Sequence, residues 1–175
     1  ENQKNLSIMW VLQPHQYQLL PVDPLPVPDT ELAQAALWRA REILEVPVHD
    51  IAVDAFMVPP HGPGQQRRLT TLVVSQKKWL THVADFLMTK DLDITIIDIC
   101  DLVLRRVAYT FRSDITSQIY LAIHPFACQL IFTEADHLLF SRTLEIDAMQ
   151  LTDKRSFESL LLQIQRTLDY YSSHY

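Results

Sequence analysis

The stretch ITSQIYLAIHPFACQLIFTEADHLLFSRTLEI, residues 115–146, decides the fold. It holds three apolar runs, 115–123, 126–133 and 138–146, separated by short turns. Runs so closely spaced can pair only as antiparallel neighbours, because a parallel pair needs a crossover of about a dozen residues or more. The stretch therefore predicts a three-stranded antiparallel meander. Downstream, Asp153 to Ser156 open a helix that runs to about residue 173. Phe157, Leu160, Leu161, Ile164, Leu168 and Tyr171 recur at helical spacing and form its expected apolar stripe.

Upstream, strands and helices alternate. Residues 6–12 and 17–22 read as short strands, and prolines between 21 and 28 impose an extended connector. A helix follows to about Glu45, with Asp29 or Thr30 as its expected cap. Leu32, Ala33, Ala36, Leu37, Ala40, Ile43 and Leu44 share one face of it. Trp38 falls in the middle of the opposite, polar face, where either another part of the chain or a partner must cover it; cover by the chain itself is the favoured reading. Residues 51–58 and 68–75 read as a hairpin around a loop at 59–66 that holds Gly62 and Gly64. A helix at about 76–90 carries Leu80, Val83, Ala84 and Leu87. The strand at 92–97 is apolar enough to predict a buried, central position. Asp98 is placed to cap a helix through about Tyr109.

Composition narrows the function classes. The chain has 175 residues, 48% hydrophobic and 21% charged, which is ordinary for a globular domain. Its net charge is −6, and it lacks the basic patch of a nucleic-acid binder. The pairs Arg67-Arg68, Lys77-Lys78, Arg105-Arg106 and Lys154-Arg155 read as solvated faces. Cys100 and Cys128 sit in apolar runs and read as buried thiols of a reducing compartment. No apolar run reaches the roughly 18 residues of a membrane span, and the first residues are too polar for a signal peptide. A cytoplasmic location is expected.

Catalytic constellations are hard to assemble. Gly62 and Gly64 are the only glycines, and neither follows a strand and opens a helix, as phosphate-binding glycines do. Asp91, Asp93, Asp98 and Asp101 form the densest acid group, but a strand of about 20 Å separates its two pairs. They read as solubilising turn residues and a helix cap. His15, His49, His61, His82, His124, His137 and His174 include no pair at metal-ligand spacing. No serine stands in a nucleophile elbow. No catalytic residue, metal ligand or cofactor is predicted.

Four segments together resemble the PilM/MshI/GspL group of actin-like proteins of type IV pilus and type II secretion machinery, and MshI-type pilus biogenesis proteins most of all. They are WVLQPHQYQLLPVDPLPVPDTELAQAALWRAREILEVPVHDIAVDAF at 10–56, LVVSQKKWLTHVADFLMTKDLDITIIDICDLVLRRV at 72–107, LLFSRTLEI at 138–146 and LQIQRTLDYYSSHY at 162–175. The resemblance implies an α/β, actin-like (ribonuclease H-like) fragment with an inserted strand-helix-strand-strand subdomain. Residues 1–110 would be a first actin-like half, the insert would take about 17–75, and 111–175 would begin the second half.

Where the family's second phosphate loop resembles D-I-G-A-x-x-T, this chain reads Ala122, Ile123, His124, Pro125, Phe126, Ala127, Cys128. Ala122 stands for the metal-linked Asp, His124 for the Gly, and Pro125 has no N–H to donate. The loop reads as degenerate. The resemblance thus implies a non-catalytic scaffold at the cytoplasmic face of the inner membrane. It would meet the membrane only through partners, binding the tail of a bitopic PilN-like protein, with the assembly ATPase as a further partner. Trp38 is the candidate partner contact. An active actin/Hsp70-type ATPase is the alternative, and an RNase H-like nuclease a weaker third.

Overall fold

The computed structural model describes residues 7–60, 68–111, 117–125 and 127–174. The chain divides into two compact units, Glu1–Met57 with Arg68–Cys100 and Val58–Arg67 with Asp101–Tyr175.

In the first unit, β1 (Ser7–Leu12) pairs in parallel with β5 (Asp93–Ile99), with Leu12 opposite Ile99 and Trp10 opposite Ile97. Between them in sequence lies the insert: β2 (Gln18–Val22), α1 (Asp29–Leu44), β3 (Ile51–Val58) and β4 (Leu69–Gln76). Its sheet has the order β2-β4-β3, and β2 runs antiparallel to β4 from Gln18 opposite Val74 to Val22 opposite Thr70. Ala36 and Ala40 of α1 are fully buried against Val22, Ile51, Leu72 and Val74, with Leu20, Leu37, Leu44 and Val46 packed around them. Alanines at the point of closest approach let the helix sit low on the sheet, where a longer side chain would overpack. This is the predicted strand-helix-strand-strand subdomain. The loop tip with Gly62 and Gly64, and His61 beside it, lies outside the described residues, as does Arg67.

Three expectations for this unit are corrected. Pro28, not Asp29 or Thr30, occupies the N-cap of α1, and no side chain caps the helix; the Pro28 carbonyl accepts the Glu31 N–H at 2.9 Å. Trp38 is not covered by the chain: it is 52% exposed. β5 is not a buried central strand. Among the described residues it pairs only with β1, and Ile96 and Ile97 are 48% and 44% exposed. The helix α2 (Lys77–Met88) half-buries Leu80, Val83, Ala84 and Leu87, the stripe read from the sequence.

The second unit is built on the predicted meander, β6 (Ser117–Ile123), β7 (Cys128–Glu134) and β8 (His137–Leu144), antiparallel throughout. Strand alternation sends Cys128, Leu130 and Phe132 to one face and Gln129, Ile131 and Thr133 to the other. α4 (Lys154–His174) covers the first face, with the Tyr171 ring stacked on Phe132 at 4.2 Å. α3 (Cys100–Thr110) covers the second, where the Tyr120 hydroxyl donates to the Ala108 carbonyl at 3.0 Å. A sheet covered by a helix on each face leaves β7 almost wholly buried.

Asp153 and Ser156 start α4 as expected, by a reciprocal cap: the Ser156 N–H donates to Asp153 Oδ1 at 2.9 Å and the Asp153 N–H to Ser156 Oγ at 3.2 Å. The stripe of α4 is rotated from the expected one. Leu160 and Thr167 are buried, while Phe157 and Leu161 are half or more exposed. Thr167 can be buried because its hydroxyl donates to the Gln163 carbonyl one turn back, at 2.7 Å.

Candidate functional site

The residues that open a cleft in the first unit are distant in sequence. After β1, Gln13 and Gln16 lock a single 3-10 turn: the Gln13 N–H donates to Gln16 Oε1 at 2.7 Å and the Gln16 N–H to the Gln13 carbonyl at 2.8 Å. Ser75, near the end of β4, donates its hydroxyl to the Gln16 carbonyl at 2.7 Å. That bond ties the chain entering the insert to the chain leaving it. Just beyond β4, Trp79 in the first turns of α2 lies against Trp10 of β1, ring centroids 5.0 Å apart.

These junctions frame a cleft of about 520 Å³. Its walls are His15, Gln16, Tyr17 and Gln18 on entry and Val74, Ser75, Gln76 and Trp79 on exit, with Leu44, Val46 and Ile51 from the insert's core. The volume suits a ligand of several residues' side chains. Among the described residues no Asp, Glu, Lys or Arg lines it. Aliphatic and aromatic walls with amide side chains at the rim offer a place for an apolar side chain and hydrogen bonds for a peptide backbone. His15 at the rim is exposed.

In the second unit, the loop Ala122 to Cys128 closes on itself. The His124 N–H donates to the Ala127 carbonyl at 2.8 Å, and the Cys128 N–H to the Ile146 carbonyl at 2.9 Å. Pro125 has no N–H. Phe126 lies outside the described residues. Ala122 sits on β6 opposite Gln129, and Ile123 opposite Cys128. Burial, with the Asp147 carboxylate nearby, pushes the Cys128 thiol up, against a smaller downward pull from the His124 backbone. Both cysteines are buried, and neither is part of a disulfide.

The acid group does not share one role. Asp98 accepts the Ile99 N–H at 2.8 Å. Asp101 corrects its reading as a solubilising residue: it is 1% exposed and accepts hydrogen bonds from Gln129 Nε2 at 3.3 Å and from the Ser141 hydroxyl. Arg105, one turn on, corrects its own reading as a solvated cation. Its Nη1 donates to the Asp136 carbonyl at 2.7 Å and its Nε is buried. The two residues fasten α3 to the meander. Among the described residues no three His, Cys, Asp or Glu side chains are grouped to hold a metal ion, and no helix is long and apolar enough to cross a membrane.

Trp38 lies outside the cleft's lining. The resemblance implies a groove beside the insert, but sequence reasoning could not assign residues to it, and those of the cleft come from three stretches about 30 positions apart. The one local signal was the pair of tryptophans, Trp10 and Trp79, each beside a strand end.

The fold is a mixed α/β one in which a strand-helix-strand-strand subdomain is inserted between the parallel strands β1 and β5. A chain of the PilM-PilN type IV pilus biogenesis complex superposes with a TM-score of 0.73 at 14% identity, over 99% of this chain and 60% of that one. The cytoplasmic domain of EpsL, an inner membrane component of the type II secretion system of Vibrio cholerae, gives 0.52 at 14% identity over 83% of this chain and 52% of that one. A Bacteroides thetaiotaomicron protein of actin-like ATPase fold gives 0.48 at 10% identity, over 93% and 54%. The chain thus spans little more than half the length of these solved chains. No family model and no curated protein sequence matches it.

Proposed function

We propose that this chain is a non-catalytic, actin-like scaffold of the PilM/GspL kind, closest to MshI-type proteins, and that it serves type IV (MSHA-like) pilus or type II secretion assembly. In this reading residues 1–110 form the first actin-like half with the insert at about 17–75, and 111–175 begin the second. The protein would be cytoplasmic and peripheral to the inner membrane. It would bind there the tail of a PilN-like bitopic protein, with the assembly ATPase as a further partner.

The observation that carries the proposal is the uncharged cleft at the root of the insert. It has the size and the mixed aromatic and amide lining suited to an extended peptide. The likeness to a chain from a PilM-PilN complex supports the choice of occupant. The degenerate loop supports the absence of catalysis: the His124 and Cys128 amides are spent on the hairpin and its neighbour, so neither is aimed at a phosphate.

Isothermal titration of the chain with the cytoplasmic tail peptide of a PilN-like protein tests the occupant. Saturable binding is expected, with loss of roughly tenfold or more in affinity for the rim variant Gln18→Arg/Gln76→Arg. Both rim residues are exposed, so folding is preserved. Undiminished binding by that variant removes the cleft from the proposal. Titration with magnesium and ATP separates the scaffold from the alternative, an actin/Hsp70-type ATPase. No heat at about millimolar nucleotide is expected; a saturable, magnesium-dependent isotherm overturns the non-catalytic reading.

A further inference from the structure

Among the described residues the solvent face of α1 is left exposed, and its residues follow a pattern. Glu31, Gln34, Trp38 and Glu42, with Glu45 at the left-handed C-cap just past the helix, follow one another at spacings of three, four, four and three, so they line one ridge, and all five are exposed. Trp38 stands at its centre, 52% exposed. Arg41 lies over the indole with its guanidinium carbon 5.4 Å from the ring centroid. Arg39 pairs with Glu42 at 3.0 Å from the flank. The ridge line itself therefore carries carboxylates toward both ends and an aromatic face between them. None of the five lines the cleft, although Glu45 stands between Leu44 and Val46, which do.

We propose that this ridge is a second docking surface and that its occupant is a cationic segment of a partner protein, with an arginine seated on Trp38. Charge complementarity selects the occupant. An indole face attracts a guanidinium, as Arg41 already demonstrates within the chain. Indole and carboxylates together disfavour an acidic partner, and a purely apolar one would leave Glu31 and Glu45 without a cation. The spacing is specific. Glu31 and Glu45 lie seven residues either side of Trp38, or about 10 Å each way along the axis. A matching segment carries cations about 10 Å either side of its central arginine, which is every two turns of a helix. Trp and Arg at the centre of a patch are the residues that dominate interface energetics.

The test uses the full chain and a fluorescent helical alanine–glutamine peptide with three arginines, one every two turns. Its control has the same arginines clustered at one end. Fluorescence anisotropy is expected to show binding that weakens with salt. Binding is expected to fall roughly tenfold or more for Trp38→Ala and for the triple variant Glu31→Gln/Glu42→Gln/Glu45→Gln. All substituted side chains are exposed, and circular dichroism verifies that the variants fold. Equal binding of the clustered control reduces the effect to the chain's overall negative charge and overturns the proposal. So does unchanged affinity in either variant, or no binding of the spaced peptide up to about millimolar. Because Trp38 lies outside the cleft's lining, failure of Trp38→Ala leaves tail binding intact, and the rim variant leaves this ridge intact.

Discussion

β5 and β7 are both seven residues long, yet six residues of β7 are buried and only one of β5. β5 reads DITIIDI and β7 reads CQLIFTE, so the strand with more β-branched residues is the more exposed. The difference lies in the surroundings. β7 has a strand on each side and a helix on each face, whereas among the described residues β5 has one strand partner, β1. An apolar strand sequence states what a strand could bury; its neighbours decide what it does bury.

The contrast has a direct test. Phe132→Ala removes a ring packed between Phe140 and Tyr171, and is expected to cost about 3–5 kcal/mol. Ile97→Ala on β5 is expected to cost under about 1 kcal/mol. Urea unfolding measures both, and equal costs would break the comparison.

Next in size is Asp101→Ala. It strips the Gln129 amide and the Ser141 hydroxyl of their shared acceptor, at an expected cost of about 1–3 kcal/mol. A neutral result would mean that these two bonds add nothing to the hold of α3 on the sheet. Smaller still is Ala135→Gly in the β7–β8 turn. Ala135 has φ 52°, a left-handed conformation that glycine adopts without strain, so a gain of up to about 1 kcal/mol is expected by thermal unfolding.

The smallest effect concerns Asp153. The Ser156 N–H holds its carboxyl below the usual range against an opposing pull from desolvation, with lesser help from the Ser156 side chain and the Arg155 backbone. A group whose folded pKa is depressed stabilises above its unfolded pKa, about 3.9, and that contribution is lost as pH falls through the folded value. The first turn of α4 should therefore fray in acid. NMR of the Ser156 amide should follow the titration, and Asp153→Asn should abolish it. An unchanged profile in the variant would dissociate the cap from the pH response.

The elements themselves were legible, because hydrophobic periodicity, prolines and caps act locally. The meander, the insert's order and the reciprocal cap of α4 all follow from neighbouring residues. What was illegible depends on distance. Asp101 looked like a turn acid until Gln129 and Ser141 came beside it from two other elements. The stripe of α4 was misjudged because Thr167 hides its hydroxyl within the helix, while Phe157 and Leu161 stay exposed. Pro28 displaced Asp29 at the N-cap of α1 because a backbone carbonyl served in place of a side chain. The cleft needed His15, Leu44 and Trp79 to meet, and no local pattern announces that.

The parallel pairing of β1 with β5 joins chain segments far apart: the Thr95 hydroxyl donates to the Ile8 carbonyl across 87 residues at 3.3 Å. Closing so long a loop from an open chain is slow, because its entropy is lost before any contact rewards it. The insert shortens that loop. Once Gln18 pairs with Val74, the flexible chain between β1 and β5 shrinks to the 3-10 turn on one side and α2 on the other. The inserted sheet would then act as a folding clamp, forming first and delivering the two ends of the parallel pair to each other.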